Sequence, residues 1–283
     1  MNIAIVGGGV MGKGIVEAIL SQRIAMELET VVWVVRDASK FEILKRQISR
    51  QLKKSERRLG EDIYTAEKIL SSVQLTTAYE EIVDANLIIE AVSEDKATKS
   101  DVLRKINRFR NTNSIVASNT SSYSITELAM FLDDPERFVG LHFFNPAPVM
   151  SLVEVVKGLI TDESVINQVV SFSKSIEKEA VIVNEAPGFI VNRMLIPMIN
   201  EAIAIYAEGI AGIEEIDKAM KLGANHPIGP FSLSDLIGND VVLSILDTLY
   251  METGDAKYRP HTLLKKYVRA NKLGRKTKSG FTS

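Results

Sequence analysis

No cysteine occurs anywhere in the 283 residues. Its absence excludes disulfide stapling, thiolate metal sites and a cysteine nucleophile, and it accords with a reducing compartment, so a cytoplasmic protein is expected. Long apolar runs are missing too. No window approaches the roughly 18 apolar residues that span a bilayer, and Met1 leads straight into NIAIVGGG with no basic or signal-type segment before it. Excess charge of either sign is also missing. With 34 basic against 36 acidic residues the formal charge is -2 and the pI is near 6.0, which gives no reason to expect a nucleic-acid or membrane partner. Internal repeats and low-complexity tracts do not occur. Histidine is scarce, with three in the chain, so each one asks for a reason.

What is present is ordinary globular material, 46% apolar and 25% charged, in a chain long enough for two modest domains. The first half alternates short β-branched runs with longer amphipathic stretches. NIAIVGG, TVVWVV, ANLIIEAV, SIVASN, FVGLHFF and AVIVN read as strands of the kind buried on both faces of a parallel sheet. Between the second and third of these, Phe41, Leu44, Ile48 and Leu52 make one stripe of a helix whose other face is basic and solvated. After EAPGF the alternation stops. NRMLIPMINEAIAIYAEG, IEEIDKAMKLG and LSDLIGNDVVLSILDTLYMET are all helix-like. The expected fold is therefore α/β: a Rossmann-type, doubly wound, mostly parallel sheet over residues 1–184, then a smaller all-α domain over 185–283.

Directly after the first strand, GGGVMGKG places Gly7, Gly9 and Gly12 in a G-x-G-x-x-G pattern, with Val10 and Met11 opening the helix. Gly7 permits a tight turn, Gly9 lets the backbone approach a pyrophosphate, and Gly12 lets the helix pack close to the strand. Phosphates then meet the positive end of a helix. The bland alternative is a flexible turn, which the placement between strand and helix disfavours. A dinucleotide site also calls for an acid at the end of the second strand, and Asp37 is the residue available. Asp37 favours NAD. Arg36 beside it keeps NADP open, because an arginine there accommodates a 2'-phosphate. Asp37 could equally cap a helix, as could Ser39.

GLHFFNPAPVM puts His142 at the end of an apolar run, before a turn rich in proline. Twelve residues on, Glu154 interrupts the apolar run SLVEVV, which the turn at Pro146 and Pro148 could fold back beside the first. A buried carboxylate needs a partner, and an imidazole held by a carboxylate is an efficient base near neutral pH. Two polar clusters stand where a doubly wound sheet presents its ligands. SIVASNTSS supplies Asn119, Ser121 and Ser122, and PGFIVNR places Asn192 at the start of the helical domain. Each of these alone reads as a turn or a cap. Asn192, between Val191 and Arg193 in apolar surroundings, is the exception and is expected to have a partner.

The segments ASNTSSYSITELA, RFVGLHFFNPAPVMSLVEVV, EAPGFIVNRMLIPMINEA and DKAMKLGANHPIGPFSLSD together resemble the 3-hydroxyacyl-CoA dehydrogenases, in the same order and over nearly the whole chain. GDAKYRPHTLLKKYVRANKLGRKTKSGF is similar to the bacterial short-chain 3-hydroxybutyryl-CoA dehydrogenases. The resemblance implies an oxidoreductase acting on an acyl-CoA with NAD, NADP not being excluded and no metal being required. It implies that His142 is the acid/base and Glu154 its partner, and that Ser121 and Asn192 position the substrate's 3-oxygen. By the same resemblance Glu94, Lys99 and Asn145 line the cofactor site, where a solvated loop is the bland alternative. The basic cluster of Lys53, Lys54, Arg57 and Arg58 corresponds to the segment that contacts CoA, Arg58 being the residue singled out.

Two stretches depart from the family pattern. SQRIAMELETVVWVV, between the glycine loop and Asp37, is longer than usual, and SGFTS stops where relatives carry an aromatic and polar tail. Helices such as MLIPMINEAIAIYAEG are apolar nearly all round, so a homodimer through the helical domain is expected. Two other readings compete. A β-hydroxyacid dehydrogenase of another type would need a lysine base in a different motif, and a binding protein that had lost turnover would have no use for the pairing of His142 with Glu154.

Overall fold

In the computed structural model, residues 1–22, 29–59 and 69–283 are described, the side chains of 54–59 excepted. The chain divides into two compact units, Met1–Glu185 and Ala186–Ser283.

The first unit begins with β1 (Asn2–Val6), α1 (Val10–Ser21), β2 (Thr30–Val34), α2 (Phe41–Leu59), β3 (Val73–Thr76) and β4 (Leu87–Glu90). It continues with α3 (Lys96–Phe109), β5 (Ile115–Ser118), α4 (Ile125–Ala129), β6 (Phe138–Phe143), β7 (Leu152–Lys157), α5 (Glu163–Ser175) and β8 (Glu179–Asn184). The strands form a single sheet in the order β3-β2-β1-β4-β5-β6-β7-β8. All neighbours are parallel except β6 and β7. Val6, Glu90, Ser118 and Gly140 are successive partners across this register, so the carboxyl ends of β1, β4 and β5 finish at one level while β6 runs past it. That shared edge is where a doubly wound sheet binds ligands.

Alternation along β1 shows why the sheet is buried on both sides. Ile3 and Ile5 join one apolar cluster with Ile15, Ile19, Leu44, Ile48, Val165 and Phe172 of α1, α2 and α5, while Ala4 and Val6, pointing the other way, are equally buried. Of the expected stripe on α2, Leu44, Ile48 and Leu52 belong to that cluster and Phe41 is partly buried against it.

Two expectations need correction. AVIVN is β8, which ends the sheet rather than lying inside it, and Ile182 there is 53% exposed. β3 was not foreseen, because VQLT is short and half polar and so lacks the β-branched run that marks the others.

The second unit is helical: α6 (Val191–Ala207), α7 (Ile213–Gly223), α8 (Pro230–Ile237), α9 (Asn239–Thr253) and α10 (Thr262–Arg269). Its core gathers Ile196, Ile199 and Ile203 of α6 with Phe231, Leu246, Tyr258, Leu264 and Phe281. The stretch LSDLIGNDVVLSILDTLYMET, read as one helix, is two. Gly238 sits at φ 107 between α8 and α9, a conformation that favours glycine and ends the first helix. No helix among the described residues is long and apolar enough to cross a membrane.

Candidate active site

The glycine loop lies between β1 and α1. Gly7 adopts φ 135, and a Cβ there would run into the Ala91 carbonyl; a Cβ on Gly12 would overlap the Gly7 carbonyl oxygen. These two positions are closed to any side chain. Gly9 is different, because a Cβ there would meet nothing within 4 Å. Gly9 is also the N-cap of α1, which has no side-chain cap and no acidic residue in its first turn, so neither competes with an anion for the first N–H groups of the helix. The loop fits a dinucleotide pyrophosphate on this observation. Val10 is exposed at the start of α1 and Met11 packs inward against the core.

Two contacts that the sequence reading did not identify hold this loop in place. Trp33, the one tryptophan of the chain, is fully buried on β2 and donates from Nε1 to the Gly7 carbonyl oxygen at 2.8 Å. Gly14, the next glycine after the motif, lets α1 approach the loop that follows His142: a Cβ on it would lie 3.3 Å from Ala147 Cβ.

Asp37 stands just past β2, exposed. Its Oδ1 accepts from Ser39 N at 3.0 Å and Ser39 Oγ at 2.6 Å, so it does cap the short turn Ala38–Lys40. These hydrogen bonds hold its carboxyl below the ordinary aspartate range. Both bonds use Oδ1, and Oδ2 has no partner among the described residues, so capping leaves one oxygen for a ribose hydroxyl. Residues 23–28, within the lengthened stretch before Asp37, lie outside the described residues.

His142 and Glu154 are direct partners in the antiparallel pairing of β6 with β7. His142 is 7% exposed and Glu154 1%, and Nδ1 lies 2.7 Å from Oε2. A carboxylate accepting from Nδ1–H leaves the lone pair on Nε2, the form of imidazole that takes a proton. Phe144 flanks the ring at 4.5 Å between centroids. Asn119 ties the ends of two strands together: its N–H donates to the Glu90 carbonyl at 2.7 Å, and its Oδ1 accepts from Phe143 N at 2.9 Å, next to His142. Asn145 is exposed in the loop beyond β6.

Glu94 gathers the serine loop. Its Oε1 accepts from Thr120 Oγ1 at 2.7 Å, Ser121 N at 2.8 Å, Ser122 Oγ at 3.0 Å and Ser121 Oγ at 3.2 Å. Burial opposes its charge, but Lys99 and these hydrogen bonds outweigh burial and hold the carboxyl below the usual glutamate range. Lys99 is not on a solvated loop. It is fully buried on α3, 3.0 Å from both oxygens of Glu90 and 3.1 Å from Glu94 Oε2. Burial alone would pull its pKa down, yet the two carboxylates raise it. Glu90 escaped the sequence reading, although a carboxylate inside the apolar run ANLIIEAV is the same signal that exposed Glu154.

The remaining sequence-derived residues are Asn192, in the second unit, and the basic residues of α2. Asn192 lies in the first turn of α6, half-buried and without a hydrogen bond among the described residues, so it is not the partnered buried amide expected. The backbone of Arg58 belongs to α2, but its side chain, like those of Lys54 and Arg57, falls outside the described residues. Lys53 is described. It borders a groove of about 1130 Å³ beside α1 and α2, with Lys13, Lys45, Arg46, Arg50 and Glu17 also in its walls.

Comparison with known proteins places this geometry in a family. Residues 2–186 match the model of the 3-hydroxyacyl-CoA dehydrogenase NAD binding domain, and residues 188–283 match that of the 3-hydroxyacyl-CoA dehydrogenase C-terminal domain. The chain is 48% identical over 281 residues to the 3-hydroxybutyryl-CoA dehydrogenase of Clostridioides difficile, covering 99% of this chain and 98% of that one. Against the mitochondrial hydroxyacyl-coenzyme A dehydrogenase of Homo sapiens it is 38% identical over 287 residues, with 99% and 90% covered. The crystal structure of (S)-3-hydroxybutyryl-CoA dehydrogenase from Ralstonia eutropha superposes with a TM-score of 0.94 at 40% identity, covering 99% of this chain and 97% of that one. With both of its domains matched and its length shared with these relatives, the chain belongs to the 3-hydroxyacyl-CoA dehydrogenase family and is an oxidoreductase of that family.

Proposed function

We propose that the chain interconverts 3-hydroxybutyryl-CoA and acetoacetyl-CoA with NAD as the redox partner, and that His142 is its acid/base. The observation that carries the mechanism is the 2.7 Å contact between His142 Nδ1 and Glu154 Oε2, on paired residues at the carboxyl end of β6. In the oxidative direction His142 Nε2 takes the proton of the 3-hydroxyl as C3 gives up its hydride, and Glu154 stabilises the imidazolium that results. In reduction the imidazolium returns a proton to the 3-oxygen. Ser121 and Asn192 are the groups proposed to orient that oxygen, and their donors stabilise the charge developing on it.

Gly7, Gly9, Val10, Met11 and Gly12 form the proposed pyrophosphate cradle. Asp37 is the proposed ribose contact, with Asn119, Glu94, Lys99 and Asn145 around the nicotinamide side of the site. NAD, when bound, supplies the hydride acceptor or donor. The free oxygen of Asp37 supports NAD over NADP, since a carboxylate repels a 2'-phosphate. The cations Lys13, Lys45, Arg46, Arg50 and Lys53 support an anionic substrate such as a CoA ester, with Arg58 on the same helix. A four-carbon acyl group is supported by the names of the Clostridioides and Ralstonia relatives. The cytoplasm is the proposed location.

A homodimer through the second unit is part of the same proposal. α6 buries Ile196, Ile199 and Ile203 in its own unit but leaves Met194 73% exposed, and Leu222 and Met251 are similarly bare. Light scattering at micromolar protein is expected to give twice the chain mass, and a monomer mass refutes this part. The activity is tested at 340 nm with acetoacetyl-CoA and with longer 3-oxoacyl-CoA esters, using NADH and NADPH in parallel. Fastest oxidation of NADH with the four-carbon ester is expected. A preference for NADPH moves the cofactor contact to Arg36, and no turnover with any ester rejects the assignment.

A further inference from the structure

Glu90, the buried partner of Lys99, has been given no part in the function proposed above. Glu90 closes β4 and is fully buried. Its Oε1 accepts from Val92 N at 2.8 Å and its Oε2 from Ser118 Oγ at 2.5 Å, so its carboxylate is fixed to the ends of β4 and β5. Lys99, also fully buried, faces both of those oxygens at 3.0 Å and Glu94 Oε2 at 3.1 Å. The three N–H bonds of one ammonium thus match three carboxylate oxygens. The far oxygen of Glu94 then receives Thr120, Ser121 and Ser122. One continuous chain of contacts runs from the sheet edge to the loop carrying Ser121.

We propose that Glu90 is a positioning residue for the reaction: through Lys99 it fixes Glu94, and through Glu94 it sets the place of Ser121. This rests on the reading of Ser121 as a group that orients the substrate's 3-oxygen. The physical argument is that a buried charge pair contributes little net stability compared with apolar side chains of similar size, but strongly restricts geometry. Such a pair beneath a reacting group is explained by orientation rather than by stability. Without Glu90 the ammonium has only Glu94 to face and draws it toward α3, away from the serine loop. A shift of about 1 Å in a group that orients substrate is enough to slow turnover by about 10².

The test compares Glu90→Gln, Ser121→Ala and the double variant in the intact protein, with acetoacetyl-CoA and NADH at 340 nm. Glu90→Gln is expected to lower kcat by about tenfold or more while KM for both substrates changes by less than about threefold. The double variant is expected to be no slower than Ser121→Ala, because Glu90 acts through Ser121. Losses that multiply, an unchanged kcat in folded Glu90→Gln, or a change in KM alone overturns the proposal. If Glu90→Gln fails to fold, Glu90→Met with Lys99→Met replaces the pair by apolar groups. That variant also deprives Val92 N and Ser118 Oγ of their acceptor, so its Tm is expected to fall by several degrees; in the folded protein kcat is expected to be lost, and full kcat in it is equally fatal. A slowed Ser121→Ala beside a normal Glu90→Gln rejects Glu90 alone, whereas a normal Ser121→Ala rejects the reading of Ser121 on which the proposal stands.

Discussion

His142 and Glu154 face each other across the one antiparallel junction inside the sheet, with Nδ1 2.7 Å from Oε2. The turn that reverses the chain between them therefore makes a direct pair out of residues twelve positions apart. In Glu154→Gln the side-chain amide can donate to Nδ1, which moves the ring proton to Nε2 and removes the basic lone pair. The account predicts a loss of about 10² or more in kcat with KM for NADH nearly unchanged. A variant with full kcat contradicts the orienting role.

Gly9 and Gly12 separate folding from binding within one loop. Gly12→Ala places a Cβ against the Gly7 carbonyl and is expected to lower Tm markedly. Gly9→Ala places its Cβ in open space, so Tm should hold while the dissociation constant for NADH rises about tenfold or more. Thermal melts paired with NADH titration distinguish the two. Undiminished NADH binding by Gly9→Ala contradicts the pyrophosphate cradle.

Trp33→Phe keeps the apolar bulk and removes the donor to the Gly7 carbonyl. A buried acceptor deprived of its partner costs about 1–3 kcal/mol. The expected result is a Tm lower by several degrees and weaker NADH binding, with kcat at saturating cofactor little changed. Equal Tm and equal affinity would show that the tie is idle.

Asp235 anchors the end of the second unit, accepting from Phe281 N at 2.9 Å, Thr282 N at 2.7 Å and Ser283 N at 3.1 Å. Burial opposes its charge, but the backbone donors of Phe281 and Thr282 with the hydroxyls of Thr282 and Ser283 prevail, and its pKa lies below the ordinary aspartate value. A carboxyl whose pKa is depressed by folding stabilises fully above its unfolded value of about 3.9 and loses that contribution as pH falls through the folded value. Asp235→Asn should therefore melt below wild type at pH 7, with the gap narrowing below about pH 4. A gap independent of pH contradicts the charged anchor.

The sheet was legible because strands buried on both faces are written as continuous β-branched runs; β3, short and half polar, carried no such mark. His142 and Glu154 could be paired in advance because each is costly to bury alone and a proline turn lay between them. The same reasoning applied to Glu90 would have revealed it, but its partner Lys99 stands nine residues on in a stretch that reads as exposed, KATKSD. Helical periodicity buries one residue of that stretch, and only the packing of α3 against β4 selects which. Trp33 and Gly7 come from different strands, and their contact is a matter of register, which residue types do not specify. Asn192 has apolar sequence neighbours yet is half-buried on α6, because those neighbours do not specify which face of a helix packs on the core.

The most direct test of the account is the rate of NADH oxidation with acetoacetyl-CoA by wild type and by His142→Gln, measured at 340 nm with NADH binding determined on the same preparations. The account predicts rapid oxidation by wild type, a loss of about 10³ or more in the variant, and similar NADH affinity in both. Comparable rates in the two proteins would remove His142 from the chemistry and the proposed mechanism with it.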